Sequence, residues 1–532
     1  MKRQRATEVS RVKKLVNSDQ QGKIAGLAVV VMAAGLGKRM CSKQAKVLHQ
    51  VAGQAMVLYS VRLGLRVAGE RVAVVVGHQA DLVRQVIGHV TSGKSGGSPV
   101  AIVEQQKQLG TGHAVLQSRP VFAVGKRGAP SRYLILNGDT PLLQEKTVRE
   151  LLRVHEAERA TVTILTAMLE DASGYGRVVR AHSAERAVSR IVEDRDADAE
   201  EQAIHEINVG TYVVDGEFLF SALEKLDPSN AQGEYYLTDI IHLAVEQGHR
   251  VAAVVLDNPG QGLGVNTRRQ LAEAEQVVRQ QIQNRWLDAG VTMIDPASTW
   301  IDATVMIGKD TVLYPNVTLE GTTVIGEDCV LRSYTRLTNC TVGNGIEILD
   351  HCVCADSHIE DGAHVGPFVH LRPGVVVRKK AKVGNFVEMK KTDLGEGSKA
   401  NHLSYLGDAT IGKGVNIGAG TITCNYDGVG KFQTVIGDGV FLGSDTQLIA
   451  PVTVGAGAII AAGTTVTEDV PADALVIGRV PQVNRQGWAA RRRALQVGAN
   501  RDTIRRKRTV KSTRLIKKQA SVAVSSQAKK RK

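Results

Sequence analysis

The sequence predicts two architectures in one chain: an α/β domain built on a mainly parallel sheet, then a parallel β-helix. Three observations predict it. Apolar runs alternate with amphipathic stretches through the first half, the pattern of a sheet covered by helices on both faces. Aliphatic residues, many followed by Gly, recur every six positions through the second half. A period of six does not close on the helical 3.6 but suits a coil of three short strands per turn. Finally, aromatics are only 4% while Gly is 54 of 532 residues, so the cores consist of small aliphatics in regular pieces.

Taken in order, residues 1–23 form a basic extension with seven Lys or Arg against two acids. Ile24–Met32 reads as a first buried strand. It leads into a glycine-rich turn without a cleavage-like site, so no signal peptide is expected. Leu27–Met32, Val72–Val76, Ala101–Val103, Tyr133–Leu136 and Thr161–Ala167 read as buried strands. Asp81–Val90 and Thr147–Arg159 have helical spacing. Such a sheet binds ligands at the carboxyl ends of its strands. The first domain spans 24–266. Residues 267–289, rich in Gln, Arg, Glu and Ala, read as a connecting helix.

The coil is expected over 290–487. Its clearest runs are Ile307 to Leu337, Val365 to Met389, and Ile436, Leu442, Leu448, Val454, Ile460 and Val466 in phase. Residues 488–532 carry sixteen Lys or Arg and one acid, and read as a basic disordered tail. The formal charge of +14 therefore belongs to the ends, and the body between them is slightly acidic. The tail is a solvated extension or a contact for nucleic acid or an anionic membrane. No apolar run approaches ~18 residues, so no transmembrane helix is expected. Six scattered cysteines fit a reducing cytoplasm. Cys352-x-Cys354 beside His351 has poor metal spacing and falls inside the repeat.

Three stretches carry chemistry. Met32-Ala33-Ala34-Gly35-Leu36-Gly37-Lys38-Arg39-Met40 follows the first strand, and its glycines let backbone N–H groups face phosphate oxygens. Arg39 and Lys46 supply neutralising charge. Gln105 to Ala114, with Gly110 and Thr111, offers amides and open backbone to the edge of a pyrimidine, or is a polar loop with a helix start. Asn137-Gly138-Asp139 ends a buried strand, placing a carboxylate to hold Mg²⁺ against phosphates or to cap the next helix.

These motifs resemble sugar-1-phosphate nucleotidylyltransferases. Together with the hexapeptide coil they resemble, over about 24–487, the bifunctional bacterial N-acetylglucosamine-1-phosphate uridyltransferases/glucosamine-1-phosphate acetyltransferases. Specific strings carry the likeness: Gly174 to Arg177, Ala231 to Tyr236, Gly384 to Lys391 and Asn416 to Gly428. The resemblance implies a Rossmann-like nucleotidyltransferase domain followed by a left-handed β-helix. It implies acetyl transfer from acetyl-CoA to glucosamine-1-phosphate, then uridylyl transfer from UTP to N-acetylglucosamine-1-phosphate. The product is UDP-N-acetylglucosamine for cell-envelope synthesis.

By this resemblance Met32, Ala33, Ala34 and Gly35 contact the nucleotide, Lys46 the phosphates, and Gln105, Gly110 and Thr111 the uracil. Asn137 and Gly138, with Asp139, belong to the UTP/UDP-N-acetylglucosamine site. Gly176, Glu193 and Asn208 bind the sugar phosphate, and Asp139 with Asn266 holds Mg²⁺. In the second half His402 is the base and Glu388 orients its imidazole. Arg372, Lys390, Tyr405 and Asn416 grip glucosamine phosphate. Ala419, Asn425, Tyr426, Ser444, Ala462 and Arg479 line the acetyl-CoA groove, and the assembly is a homotrimer. Three positions depart from the family pattern: Lys38 for Thr or Ser, Ala45 for Pro, and Asn401 for Gly. Two competing readings remain: a single-activity nucleotidylyltransferase with an inert coil, and a nucleic-acid-binding protein using its basic ends.

Overall fold

The computed structural model describes residues 22–91, 100–123, 129–181 and 187–528. The N-terminal extension up to residue 21 and the last four tail residues lie outside them. In the sheet half, the strands β1 (Leu27–Ala33), β2 (Val72–Val76), β3 (Val100–Glu104) and β4 (Arg132–Asn137) are parallel neighbours in the order β4-β1-β2-β3. The Val-, Ile- and Leu-rich runs of β1, β2 and β4 are buried on both faces, as a helix-covered parallel sheet requires, and the edge strand β3 is half-buried. The sheet continues as β5 (Val162–Met168), β6 (Arg177–Arg180), β7 (Val188–Val192), β8 (Glu206–Asp215) and β9 (Val251–Val255). β8 runs antiparallel to both β4 and β5, so the sheet is mixed. Helices α1 (Met56–Ala68), α2 (Ala80–Thr91) and α3 (Glu145–Ala157) supply the crossovers.

Helix α4 (Arg268–Asp288) opens on a capping box. Thr267 Oγ1 accepts from Gln270 N, and Gln270 Oε1 accepts from Thr267 N. Its Ala274, Val278, Ile282 and Trp286 join the same apolar core as the coil interior and the Gln50–Ala55 hairpin. The described residues up to Ile477 accordingly form one compact unit.

The coil is parallel throughout. Val312 pairs with Val330, and Leu313 with Leu331, one turn of 18 residues apart. Later turns shorten to 17, as in Arg336 with Val353. This is why the six-residue phase breaks between the clean runs. One turn is longer: Thr410 pairs with Val435, because a loop at Asn425–Gln433 is inserted. The inward aliphatics, with Cys329, Cys340, Cys352 and Cys354, are fully buried. The thiol of Cys352 is pushed up to about 11 by burial, which suits a packing role. The two longest coil strands, β10 (Lys382–Lys390) and β11 (Lys399–Gly407), lie side by side.

The second compact unit is Gly478–Lys532. It corrects the expectation of a disordered tail, since Trp488–Ala528 is a continuous helix, α5. Low apolar periodicity argued against order there, but Arg, Ala and Lys make up nearly half of the segment. There is a single Gly and no Pro, so intrinsic propensity favours helix. No helix among the described residues is long and apolar enough to cross a membrane.

Candidate functional site

In the sheet half, β1 and β4 are in register with Met32 opposite Asn137. Their carboxyl ends therefore deliver Met32–Gly35 and Asn137–Asp139 to one edge. Gly138 sits where a Cβ would approach Met32 O to 3.0 Å, so Gly lets the two turns meet without crowding. A cavity of about 460 Å³ follows, lined by Met32–Gly35, Lys46, Gln105, Gly110, Thr111, Asn137 and Asp139. A second, of about 500 Å³, adjoins it through shared Lys38 and Lys46 and is lined by Arg39, Glu193 and Asn266.

Lys46 joins the two cavities. Its Nζ is ion-paired with Asp139 and donates to Asn266 Oδ1 at 3.0 Å. Gly37, at φ +61, clears space for the Lys46 side chain. Gln105 is 4% exposed and donates to Gly110 O at 3.0 Å. Gly110 adopts φ +108 against Tyr235, where a Cβ would lie 2.6 Å from the Tyr235 carbonyl oxygen. Burial lowers the pKa of His113, which contacts Gln105.

Glu193 is held above the usual carboxylate range, first by burial and then by Asp239, Asp196 and Asp194. Thr238 Oγ1 donates to it at 3.1 Å and opposes the shift. Gly176 and Asn208 line neither cavity. Asn208 N donates to Gly176 O, and Gly176 backs onto Glu193. The Asn208 side chain is bonded to Tyr212 and to Gly210 N.

In the coil half, function follows register. Asn385 pairs with His402, and Glu388 with Tyr405. Between these two pairs the chain turns a corner at Phe386 (φ 60) and Leu403 (φ 40). His402 and Glu388 are therefore on different sides of that corner. The expected Glu388–His402 partnership is absent. Glu388 Oε1 accepts from Arg372 Nη1 at 2.8 Å, and His402 Nδ1 meets Asn385 Oδ1 at 3.0 Å. Seventeen-residue turns dictate this, because they stack His402 on Asn385 and leave Glu388 to Tyr405.

The corner continues upward from His402 through Ala419, Ser444 and Ala462. Gly420 N donates to Leu403 O, Asp445 N to Ala419 O, and Gly463 N to Ser444 O. Glycines 418 and 443 make the column possible, since a Cβ at either would lie 2.5–2.6 Å from the next coil's backbone. On the face after the corner lie Arg372, Lys390 and Tyr405. Gly407 leaves room there for the Tyr405 hydroxyl and the Asn425 amide. Asn416 pairs with Lys399, on the face before the corner. Tyr426 stands exposed on the inserted loop, and Arg479 belongs to the second unit.

Comparison with known proteins fits both halves. Residues 28–293 match the nucleotidyl transferase family model, and residues 433–468 match the bacterial transferase hexapeptide (six repeats) model. The bifunctional protein GlmU of Trichlorobacter lovleyi is 48% identical over 466 residues, covering 88% of this chain and 98% of its own length. Those of Pelobacter propionicus and Heliobacterium modesticaldum are each 46% identical, covering 87% of this chain and 98% of theirs. The chain belongs to the GlmU family of bifunctional proteins. It is an enzyme with two transferase activities, a uridylyltransferase in the sheet half and an acetyltransferase in the left-handed hexapeptide coil. Its chemistry draws on nucleotide-sugar substrates, acetyl-CoA and a divalent metal.

As a GlmU chain it shows what its departures do. Ala45 N–H donates to Gln79 Oε1 at 2.8 Å, a bond that Pro cannot make. Asn401 lies in β11 without a positive φ, so Asn fits where Gly was expected. Lys38 joins the lining of both cavities. Sequence reasoning missed Lys431. The Lys390 pKa is lowered first by Lys431 and then by Arg372, so three cations converge on one face. The signal was present as a cation in the same inserted loop as Asn425-Tyr426. It also missed Asn385, one 17-residue turn before His402.

Proposed function

We propose that the sheet half binds UTP with its phosphates on the Met32–Gly35 turn, Arg39 and Lys46, and its uracil against Gln105, Gly110 and Thr111. Glu193, supported from behind by Gly176 and Asn208, accepts a hydrogen bond from the sugar. The observation that carries this reading is the meeting of Lys46, Asp139 and Asn266 where the two cavities join. Asp139 and Asn266 already share one cation through hard oxygens. Gly264, whose Cβ would lie 3.2 Å from the Asp139 carboxylate, keeps that side open. Two protein oxygens with room for water and phosphate fit Mg²⁺, which when bound would neutralise phosphate charge. The sugar phosphate oxygen attacks the α-phosphorus in line and pyrophosphate leaves. Positioning and charge neutralisation supply the rate.

In the coil, His402 is the base that takes the proton of the amine. With Asn385 Oδ1 accepting from Nδ1–H, Nε2 is left free for that proton. Arg372, Lys390 and Tyr405, joined by Lys431, hold the sugar phosphate. The Ala419–Ser444–Ala462 column, Asn425 and Tyr426 guide acetyl-CoA to the corner. Asn416 faces the other way in its own chain. A homotrimer that sets that face of one copy against the phosphate grip of the next completes the site. The domain division at 24–266, 267–289 and 290–487 and a cytoplasmic location belong to the same reading. So does polyanion contact by the basic tail. Incubation with glucosamine-1-phosphate, acetyl-CoA, UTP and Mg²⁺, omitting each in turn, tests it. UDP-N-acetylglucosamine is expected only from the full set, and its formation without acetyl-CoA would refute the order.

A further inference from the structure

A third cavity lies away from both sites. It is a groove of about 710 Å³, larger than either uridylyl cavity. The Lys43–Leu48 loop, α1 and α2 form its walls, and Thr304 and Gly321 of the first coils close it. Leu48 and Leu58 give it an apolar base, while Leu82 remains 49% exposed. This size suits a small organic ligand.

Two polar groups in the groove are unmatched. Gln54 is 4% exposed, and its Oε1 has no hydrogen-bond partner. Arg62, half-buried on α1, makes no ion pair or hydrogen bond among the described residues. Burial pulls its pKa down, the Tyr59 hydroxyl opposes this, and Arg66 adds to it. A half-buried guanidinium without a carboxylate is costly to keep. Its planar fork is shaped for a carboxylate or phosphate.

The groove also touches the machinery of uridylyl transfer. Gln79, at φ +54, donates from Nε2 to Lys43 O at 2.7 Å and accepts from Ala45 N at 2.8 Å. Gln44 Nε2 donates to Leu48 O at 2.9 Å. The loop held by these two groove residues ends at Lys46.

We propose that this groove is an effector site for an organic anion with an apolar body. Arg62 holds the carboxylate or phosphate, and Leu48, Leu58 and Leu82 hold the body. Occupancy acts through Gln79 on the loop that positions Lys46. The Ala45 N–H makes this coupling specific to chains without Pro at that position.

The probe is 8-anilinonaphthalene-1-sulfonate, titrated by fluorescence against the full chain with and without UTP and Mg²⁺. Bound probe is expected to persist under saturating UTP. Arg62→Gln is expected to weaken its Kd at least tenfold while uridylyl transfer without probe stays within twofold. Leu82→Gln, at an exposed position that leaves the core intact, is expected to weaken it at least threefold. Saturating probe is expected to shift the KM for UTP at least threefold, and not in Gln79→Ala. Displacement by 1-naphthoate or 1-naphthyl phosphate distinguishes a carboxylate ligand from a phosphate one. Displacement by neither overturns the proposal. So does full displacement by UTP, or unchanged affinity in both groove variants. An unmoved KM with bound probe overturns the effector role. The kinetic arm rests on Lys46 acting in uridylyl transfer. Full activity in Lys46→Ala would refute that reading, whereas the binding arm decides the groove by itself.

Discussion

The residues of the uridylyl site reach one cleft from separate stretches between Met32 and Asn266, some at strand ends, as Met32 and Asn137, and others from longer connections, as Lys46 and Asn266. Those of the acetyl site reach one corner by counting. Asn385, His402, Ala419, Ser444 and Ala462 stack because each turn, of 17 or 18 residues apart from the one inserted loop, returns the chain to the same corner. The sheet tolerates varied loops between its contributions, since the apolar clusters on its two faces anchor every strand whatever the length of the loops. In the coil a side chain's position depends on the length of the turn beneath it. The two centres are thus built by independent means on one chain, and each should be separable from the other.

The sharpest test is His402→Ala. Loss of the base should slow thiol release from acetyl-CoA about 10³-fold, within the ~10²–10⁴ range of general-base catalysis. Pyrophosphate release should be unchanged, and a parallel loss of both would break the comparison. Asp139→Asn is its mirror. Removing the charge that Lys46 and the metal share should lower pyrophosphate release about 10²-fold, by the size of a removed electrostatic stabiliser. Acetyl transfer should stay at its original rate.

Asn385→Ala sharpens the coil's half of the comparison. Asn385 positions rather than reacts, so acetyl kcat should fall about tenfold, as for residues that orient a histidine, with the KM for acetyl-CoA little changed. The pH profile of acetyl kcat should move, and Asn385→Asp should restore much of the rate by accepting the same Nδ1–H. A rise in KM with kcat unchanged would instead assign Asn385 to substrate binding.

Glu193 offers a pH test of the sheet half. Its folded-state carboxyl is raised by burial and by neighbouring acids. The folded chain therefore binds this proton more tightly than the unfolded chain. Stability from this group is present at low pH and is lost as pH rises past the ordinary glutamate value toward the raised one. Glu193→Gln should remove that slope in denaturation midpoints measured across the same range. It should also raise the KM for the sugar phosphate, while the coil's activity keeps its pH profile.

Much of this was legible beforehand, for reasons that differ between the halves. Val72–Val76 is a strand with the bounds its Val-rich run announced, because burial on both faces leaves no polar residue to blur them. The convergence of Lys46 on Asp139 and Asn266 had no local signal. It came from resemblance, since residues 220 positions apart meet only through the fold. In the coil the six-residue phase was plain, but the 17-residue turns were not, and they decide that His402 meets Asn385 rather than Glu388. The tail misled because periodicity reports packing against a partner. α5 is exposed from Trp488 to Ala523, so its helicity there rests on propensity.

The smallest expected effect concerns Ala45. Its backbone, at φ −55 and ψ 138, lies where Pro rests. Ala45→Pro removes the N–H bond to Gln79, which costs about 1 kcal/mol. It also stiffens the unfolded chain, which returns ~0.4–1 kcal/mol. The terms nearly cancel, so the unfolding midpoint should move by no more than a few degrees. Gln79 keeps its bond to Lys43 O but loses its hold on the residue before Lys46. Uridylyl transfer without probe should therefore persist in Ala45→Pro while the shift in UTP KM on probe binding shrinks. A variant that keeps the full shift would show that the signal reaches Lys46 through Lys43 alone.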